Sequence, residues 1–410
     1  MRKDLRVPPY TPILIILSFI VYCIEIDLAV PSFPAMKSVL QTTEAWMQMS
    51  LSLNFFGFFL GALLYGPLSD SFGRRPVILS GCTIYVIGGI GCALMNSIDL
   101  LLLFRFIQGL GASSGCVILY AMIADIYPPE KMAWFHGIMN ATITVVMAGA
   151  PILGSFISQT FGWRYPLITI AVLSIMTLVM MVVLLPETRV QKTPWHLKSV
   201  VSDYKRLLVN HEFTCLTFGP SLLVGVYMTF VGTAPFFYQT QLGLSVFSFG
   251  LHQGAVLASF SLVSLFTGKI NHWLGMKRSA HYGNILAITA AAILYGLSFY
   301  LGGYPYSITF FMCLHVMGIA LSFGTTVAIA FNVVPEVAGA SSSLIMASRL
   351  LFSSLMVAYA SKTYNGTWAS ISLILLGGAF IGILLITRGM TVSKSKNLHE
   401  PHGTPPGGIL

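Results

Sequence analysis

The sequence predicts an all-α polytopic membrane protein, two six-helix bundles around a central cavity, and three observations carry that expectation. Hydrophobic residues fill 56% of the 410 positions and charged residues only 9%, with a mean hydropathy of +0.81, more apolar surface than a water-soluble core could enclose. Apolar runs of about 20 residues, the length that crosses bilayer hydrocarbon, recur about twelve times. A polar connection follows the sixth run, and the segments on either side of it repeat one another's motifs.

The runs lie near 12–34, 45–66, 76–95, 100–121, 133–160, 163–185, 212–240, 247–270, 279–301, 305–331, 338–360 and 368–388. Barrel strands would show about ten residues of alternating polarity, so helices are the expected spanning structure. The first run carries two acids and lacks a small-residue cleavage site, which reads as a permanent span and not a signal peptide. The net charge of +9 and pI near 9.2 would suit a nucleic-acid binder, but 17 of the 22 Lys and Arg fall on one set of termini and loops. That asymmetry is a topology signal: both termini are expected in the cytoplasm, with an even number of spans. No nucleic-acid partner is expected.

The domain reading follows: an N-terminal bundle over 1–186, a cytoplasmic linker over 187–211, a C-terminal bundle over 212–390 and a disordered cytoplasmic tail over 391–410. In the linker, Leu197, Val200, Val201, Tyr204, Leu207 and Leu208 recur at helical spacing, which predicts a short amphipathic helix on the membrane surface. Cys23, Cys82, Cys92, Cys116, Cys215 and Cys313 stand singly in apolar segments without metal-ligand spacing and read as small packing residues. No cofactor or metal is expected, and the chain reads as a monomer. Neither a nucleophile–base pair nor a GxxxxGK[ST] phosphate loop is present, so neither an enzyme nor an ATP-driven pump is expected.

The halves echo each other most closely after the second and eighth runs. Gly66-Pro67-Leu68-Ser69-Asp70-Ser71-Phe72-Gly73-Arg74-Arg75 and Gly268-Lys269-Ile270-Asn271-His272-Trp273-Leu274-Gly275-Met276-Lys277-Arg278 both place two glycines seven apart with basic residues after them. The first span raises a different question, since "IEIDLAVPSFP" puts Glu25 and Asp27 in hydrocarbon. A charge at bilayer centre costs roughly 2.5–3.5 kcal/mol on insertion scales, so such an acid needs a wet cavity or a partner. Pro31 has no N–H for the carbonyl of Asp27 and Pro34 none for Val30, which weakens the helix beside the acid. Glu25 lies about 200° around the helix from Asp27 and cannot share its direction on a regular helix.

The stretch "GPLSDSFGRRP" is similar to the cytoplasmic loop motif of the major facilitator superfamily. "IDLAVPSFP", "RFIQGLGASSG" and "GAPILGS" resemble further motifs of its twelve-helix drug:proton antiporters, especially the bicyclomycin-resistance (Bcr/CflA) group, and "GWRYP", "LPET" and "PEVAGASSSL" extend the likeness over nearly the whole chain. The resemblance implies a proton-coupled antiporter in a bacterial inner membrane that exports small lipophilic or cationic compounds, with export of one endogenous metabolite such as a siderophore as the alternative. It implies Asp27 as proton carrier; Glu25, an acid at membrane depth in the same span, reads as an auxiliary proton or cation site. Arg105 is then the natural counter-charge, since an acid's proton affinity switches as a guanidinium approaches or leaves. It also implies gating roles for Gly66, Asp70, Gly73, Arg74, Arg75, Pro31, Gly149, Pro151 and Gly154, with Asp70 capping a neighbouring helix and Arg74 and Arg75 holding the loop to the surface. Arg349 reads as structural. Tyr22, Asn54, Phe58, Tyr120, Asn140, Tyr227, Phe230, Phe236, Phe237 and Tyr238 are candidate substrate contacts, with ordinary packing as the competing reading. Two departures stand out: Ala124 precedes Asp125 where that group usually has arginine, and Glu25 is an extra acid.

Overall fold

The computed structural model describes residues 7–190, 194, 197–299 and 304–399, and among them every regular element is helical. Among the described residues, twelve helical spans are long and apolar enough to cross a membrane. The first comprises α1 (Thr11–Ala29), a 3-10 turn at Val30–Ser32 and α2 (Phe33–Val39), so the missing N–H groups of Pro31 and Pro34 break the helix one turn beyond Asp27. The rest of this half is α3 (Glu44–Phe72), α4 (Arg74–Leu94), α5 (Ile98–Ile126), α6 (Pro129–Phe161) and α7 (Tyr165–Leu184).

The linker helix α8 (Leu197–Val209) leads to α9 (His211–Pro235), which ends in a π-helical turn at Phe236–Gln241. Then come α10 (Val246–Leu274), α11 (Met276–Leu297), α12 (Pro305–Phe331), α13 (Ala338–Thr363) and α14 (Trp368–His399). Thr43, Ser97, Asn210 and Ser245 each accept a backbone N–H at the start of the helix they cap. α14 passes residue 390 because nothing in "TVSKSKNLH" stops a helix and Pro401 lies beyond it, so the segment to His399 is helical and not a disordered tail. Residues 400–410 lie outside the described residues.

Two seams join the halves: α3 packs along α13 and α6 along α10. α6 also packs on α1, where a Cβ at Gly154 would stand 2.2 Å from the Leu28 carbonyl oxygen, so only glycine permits that approach beside Asp27. On the adjoining face of α6, Ser155 and Pro151 meet Gly250 of α10. Gly149 faces open space.

The end of the bundle that carries α8 is here termed the linker end. There Leu207 of α8 is buried and the Tyr204 hydroxyl donates to the Leu63 carbonyl at 3.1 Å, while Lys198, Lys205 and Arg206 are exposed. Burial pushes the Tyr204 phenol pKa up, so the group stays a donor. Lys192 lies outside the described residues.

Candidate functional site

Asp27 reaches a cavity of about 880 Å³ between the halves. The lining runs from Gly137, Thr267, Phe331 and Ser343 at the linker end to Asp27, Phe55, Tyr227 and Ser353 at mid-helix. Beyond Asp27 the halves meet. The Phe33 and Phe236 rings lie 6.5 Å apart, and Gln239 of the π-helical turn donates to the Pro31 carbonyl at 2.9 Å. The break in the first span therefore does two things: it leaves the Asp27 carbonyl without a partner N–H at Pro31, and it turns the Pro31 carbonyl to the opposite half.

Among the candidate contacts, Tyr22, Phe58, Tyr120, Asn140 and Tyr227 line the cavity, with the Tyr120 hydroxyl on Asn140 Oδ1 at 2.9 Å. Four others do not. Phe230, Phe236, Phe237 and Tyr238 pack at the far end, Phe230 and Phe237 against Trp368 at 6.1 and 5.3 Å. Tyr238 shares the Thr309 hydroxyl with His252, at 2.8 and 2.7 Å. These aromatics seal the cavity instead of lining it, because the π-helical turn rotates the end of α9 toward α2, α10 and Trp368. Cys23 and Cys116, expected as packing residues, line the cavity.

Glu25 points the other way, as its 200° offset requires, into the interior of the N-terminal half. Asn54 Nδ2 donates to Glu25 Oε1 at 3.1 Å and to the Arg105 carbonyl at 3.2 Å, so Asn54 is a bridge and not a substrate contact. The Arg105 guanidinium is the charge that acts on Glu25, and its Nη1 donates to Gln108 Oε1 at 3.2 Å. Glu25 Oε2, Arg105 Nε and Arg105 Nη2 are buried with no hydrogen-bond partner. Arg105 is thus companion to Glu25 and not to Asp27, contrary to the pairing expected from sequence.

The guanidinium in the cavity is that of Arg349 on α13, a residue the sequence presents as structural. Its Nη2 lies 3.2 Å from Met346 Sδ, its Cζ is 5.9 Å from the centre of the Phe323 ring, and among the described residues no carboxylate forms an ion pair with it. Nor, among the same residues, does any cation pair with Asp27. Sequence reasoning has one signal for Arg349, a lone arginine in an apolar run, but no way to know which neighbour it faces.

The loop motif is a charge network centred on a buried arginine and not a surface anchor. Arg74 is 5% exposed; its Nη1 pairs with Asp70 at 2.9 Å, its Nε with Asp125 at 2.8 Å, and Ser69 Oγ accepts from it at 2.7 Å. Arg189 approaches Asp70 at 3.4 Å and Asp125 at 3.6 Å. Asp70, expected to cap a neighbouring helix, pairs with Arg74 and Arg189 instead; the cap that is present is on α4, where the Glu187 carboxylate accepts the backbone N–H groups of Arg74 and Arg75 at 2.9 and 3.1 Å at the positive end of the helix. Arg75 Nη2 donates to the Val182 carbonyl at 2.8 Å, so it too is spent inside the half. Gly66 faces Ser343 of α13, with 3.1 Å to a Cβ placed there.

Two six-helix halves, two seams and a largely apolar cavity closed at one end are the architecture of many membrane transporters. Residues 15–357 match the sequence pattern of the Major Facilitator Superfamily, and the chain belongs to that family. It is 26% identical over 385 residues to the multidrug resistance protein MdtL of Shigella dysenteriae serotype 1 (strain Sd197), covering 93% of this chain and 96% of that one. It is 30% identical over 280 residues to a chloramphenicol resistance protein of Pseudomonas aeruginosa, covering 65% of this chain and 64% of the relative. The fold superposes on a crystal structure of a mutant of the nucleoside transporter NupG with a TM-score of 0.73 at 16% identity, over 92% of this chain and 98% of that one. The chain is a multi-pass membrane protein of a transporter family.

Proposed function

We propose that this protein is a proton-coupled antiporter of the bacterial inner membrane that exports small lipophilic or cationic compounds by alternating access, within the drug:proton antiporters that the Bcr/CflA group represents. One observation carries the reading: an unpaired carboxylate, Asp27, lines a half-open cavity next to a proline break that also forms the closed end. The names of the relatives, a multidrug resistance and a chloramphenicol resistance protein, support export of drug-like compounds. With the linker end in the cytoplasm, as the Lys and Arg distribution favours, the cavity opens inward.

Asp27 loads and releases the proton, and a substrate in the same cavity competes with it. Glu25, bridged by Asn54 to the Arg105 backbone and lying in the field of its guanidinium, is an enclosed auxiliary site. The energetics suffice, since one proton yields about 2.3 kcal/mol per 100 mV and about 1.36 per pH unit, enough for tenfold to hundredfold gradients. A second reading, export of one endogenous metabolite, is favoured by Arg349, a charge that a site for lipophilic cations does not require.

The test is made in proteoliposomes with a pH-sensitive dye inside, using wild type and Asp27→Asn against lipophilic cations, neutral antibiotics and siderophores. Substrate-triggered proton movement in wild type, lost in the variant, is expected. A compound that crosses in both without moving protons would remove Asp27 from the mechanism.

A further inference from the structure

Arg349 and Asp27 stand on opposite walls of one cavity, the first on α13 of the C-terminal half and the second on α1 of the N-terminal half. Neither has an ion-pair partner among the described residues. Cys23 lies within electrostatic reach of both charges. The Tyr227 hydroxyl, also in the wall, is buried without a partner and feels the charge of Asp27. A guanidinium at membrane depth without a carboxylate is costly unless something else supplies the acceptor, and its planar fork is built for carboxylate-like groups. The rest of the lining is largely apolar, with Phe58, Phe260, Met147 and Met228 in it.

We propose that the cavity binds a dipolar amphiphile, its amino or other cationic end on Asp27, its carboxylate or comparable acceptor on Arg349, and its apolar body against the aromatic and methionine walls. The linkage favours this over a plain anion. A ligand cation on Asp27 excludes the proton from it, which is the competition that antiport needs. An anion held by Arg349 alone would draw a proton into the same cavity and not exchange for one. The volume of about 880 Å³ suits a drug-sized molecule. Because the ligand touches both halves at once, it reports on their approach, as a transported substrate must. The inference rests on the cavity's being the transport site.

The experiment uses four probes with one apolar body that holds its charged ends apart: 4'-(aminomethyl)biphenyl-4-carboxylic acid, its methyl ester, its N-acetyl derivative and the N-acetyl methyl ester. Binding is titrated by calorimetry on the full chain in nanodiscs at about pH 6, where the free amines are charged. The expected result is that the zwitterion binds about tenfold or more tighter than either singly charged form. Arg349→Gln should lower the zwitterion to the level of the methyl ester and leave the ester unchanged, with Arg349→Lys in between. Asp27→Asn should lower it to the level of the N-acetyl acid.

An ester that binds wild type as tightly as the zwitterion overturns the proposal with no variant needed, so a misfolded Arg349→Gln cannot protect it. Failure of all four to bind at millimolar concentration also overturns it. Either result leaves the antiport reading standing if Asp27-dependent proton movement persists in proteoliposomes, and the two failures are thereby separated.

Discussion

Gly73 joins α3 to α4 and Gly275 joins α10 to α11, and the two turns share a geometry but not a chemistry. Both glycines hold positive φ, +108° and +79°, a region closed to most side chains by their Cβ. Around Gly73 stand Asp70, Arg74, Asp125, Glu187 and Arg189, tied by ion pairs and by the Glu187 cap. Around Gly275 the ties are neutral: the Thr325 hydroxyl on Asn271 Oδ1 at 2.8 Å and the Ser279 hydroxyl on the Gly275 carbonyl at 3.0 Å. His272 and Met276 stand where the first half has Asp70 and Arg74. The repeated backbone thus has the same turn in both halves while the charges stand in one copy, which ties the N-terminal half's linker end by ion pairs and the other by neutral hydrogen bonds.

The largest test of that contrast is Arg74→Ala. It leaves Arg189 alone to face Asp70 and Asp125, removes charged hydrogen bonds to both and to Ser69, and should cost about 3 kcal/mol, read as a lowered apparent Tm in detergent, whereas Lys277→Ala should leave Tm unchanged. Next come the glycines. Gly73→Ala meets both strained φ and the Glu187 carboxylate, with 2.5 Å from its Cβ to Oε2, and should cost about 2–3 kcal/mol. Gly275→Ala meets strain in open space and should cost about 1 kcal/mol; equal losses in the two would refute the idea that the charge network tightens the first turn.

A smaller effect separates the closed end from the linker end. Gln239→Ala removes the hydrogen bond to Pro31, worth about 1 kcal/mol, and should shift the balance of closed and open far ends about fivefold. Inter-half distances from spin labels at the far end would show it. The smallest change is expected from Glu336→Gln, since the exposed pair with Arg206 at 3.3 Å is worth under about 0.5 kcal/mol. A large loss there would mean that α8 is held by charge and not by Leu207 and Tyr204.

Much of this was legible in the chain. The spans follow from the mean hydropathy of runs as long as a bilayer is thick, and the break after Asp27 follows from Pro31 and Pro34, whose missing N–H groups act wherever the helix lies. The opposite directions of Glu25 and Asp27 follow from the 3.6-residue turn. The assignments that failed share one cause. Arg105 against Arg349, Asn54 as a contact, the Phe230–Tyr238 aromatics as lining and Asp70 as a cap all required knowing which helix faces which. A membrane helix, apolar nearly all round, carries no stripe that says so.

The sequence by itself therefore determined the class of solvent, the number of spans, the twofold repeat, the weak point beside Asp27 and the spacing of its charges, because each is local in the chain and set by backbone geometry or by the cost of charge in hydrocarbon. Only the tertiary structure decided that Glu25 meets Arg105 through Asn54, that Glu187 caps α4, and that Asp27 and Arg349 share a cavity. Those pairings join residues from distant helices, and packing, through the glycines and small side chains that let particular helices approach, is the force that selects them.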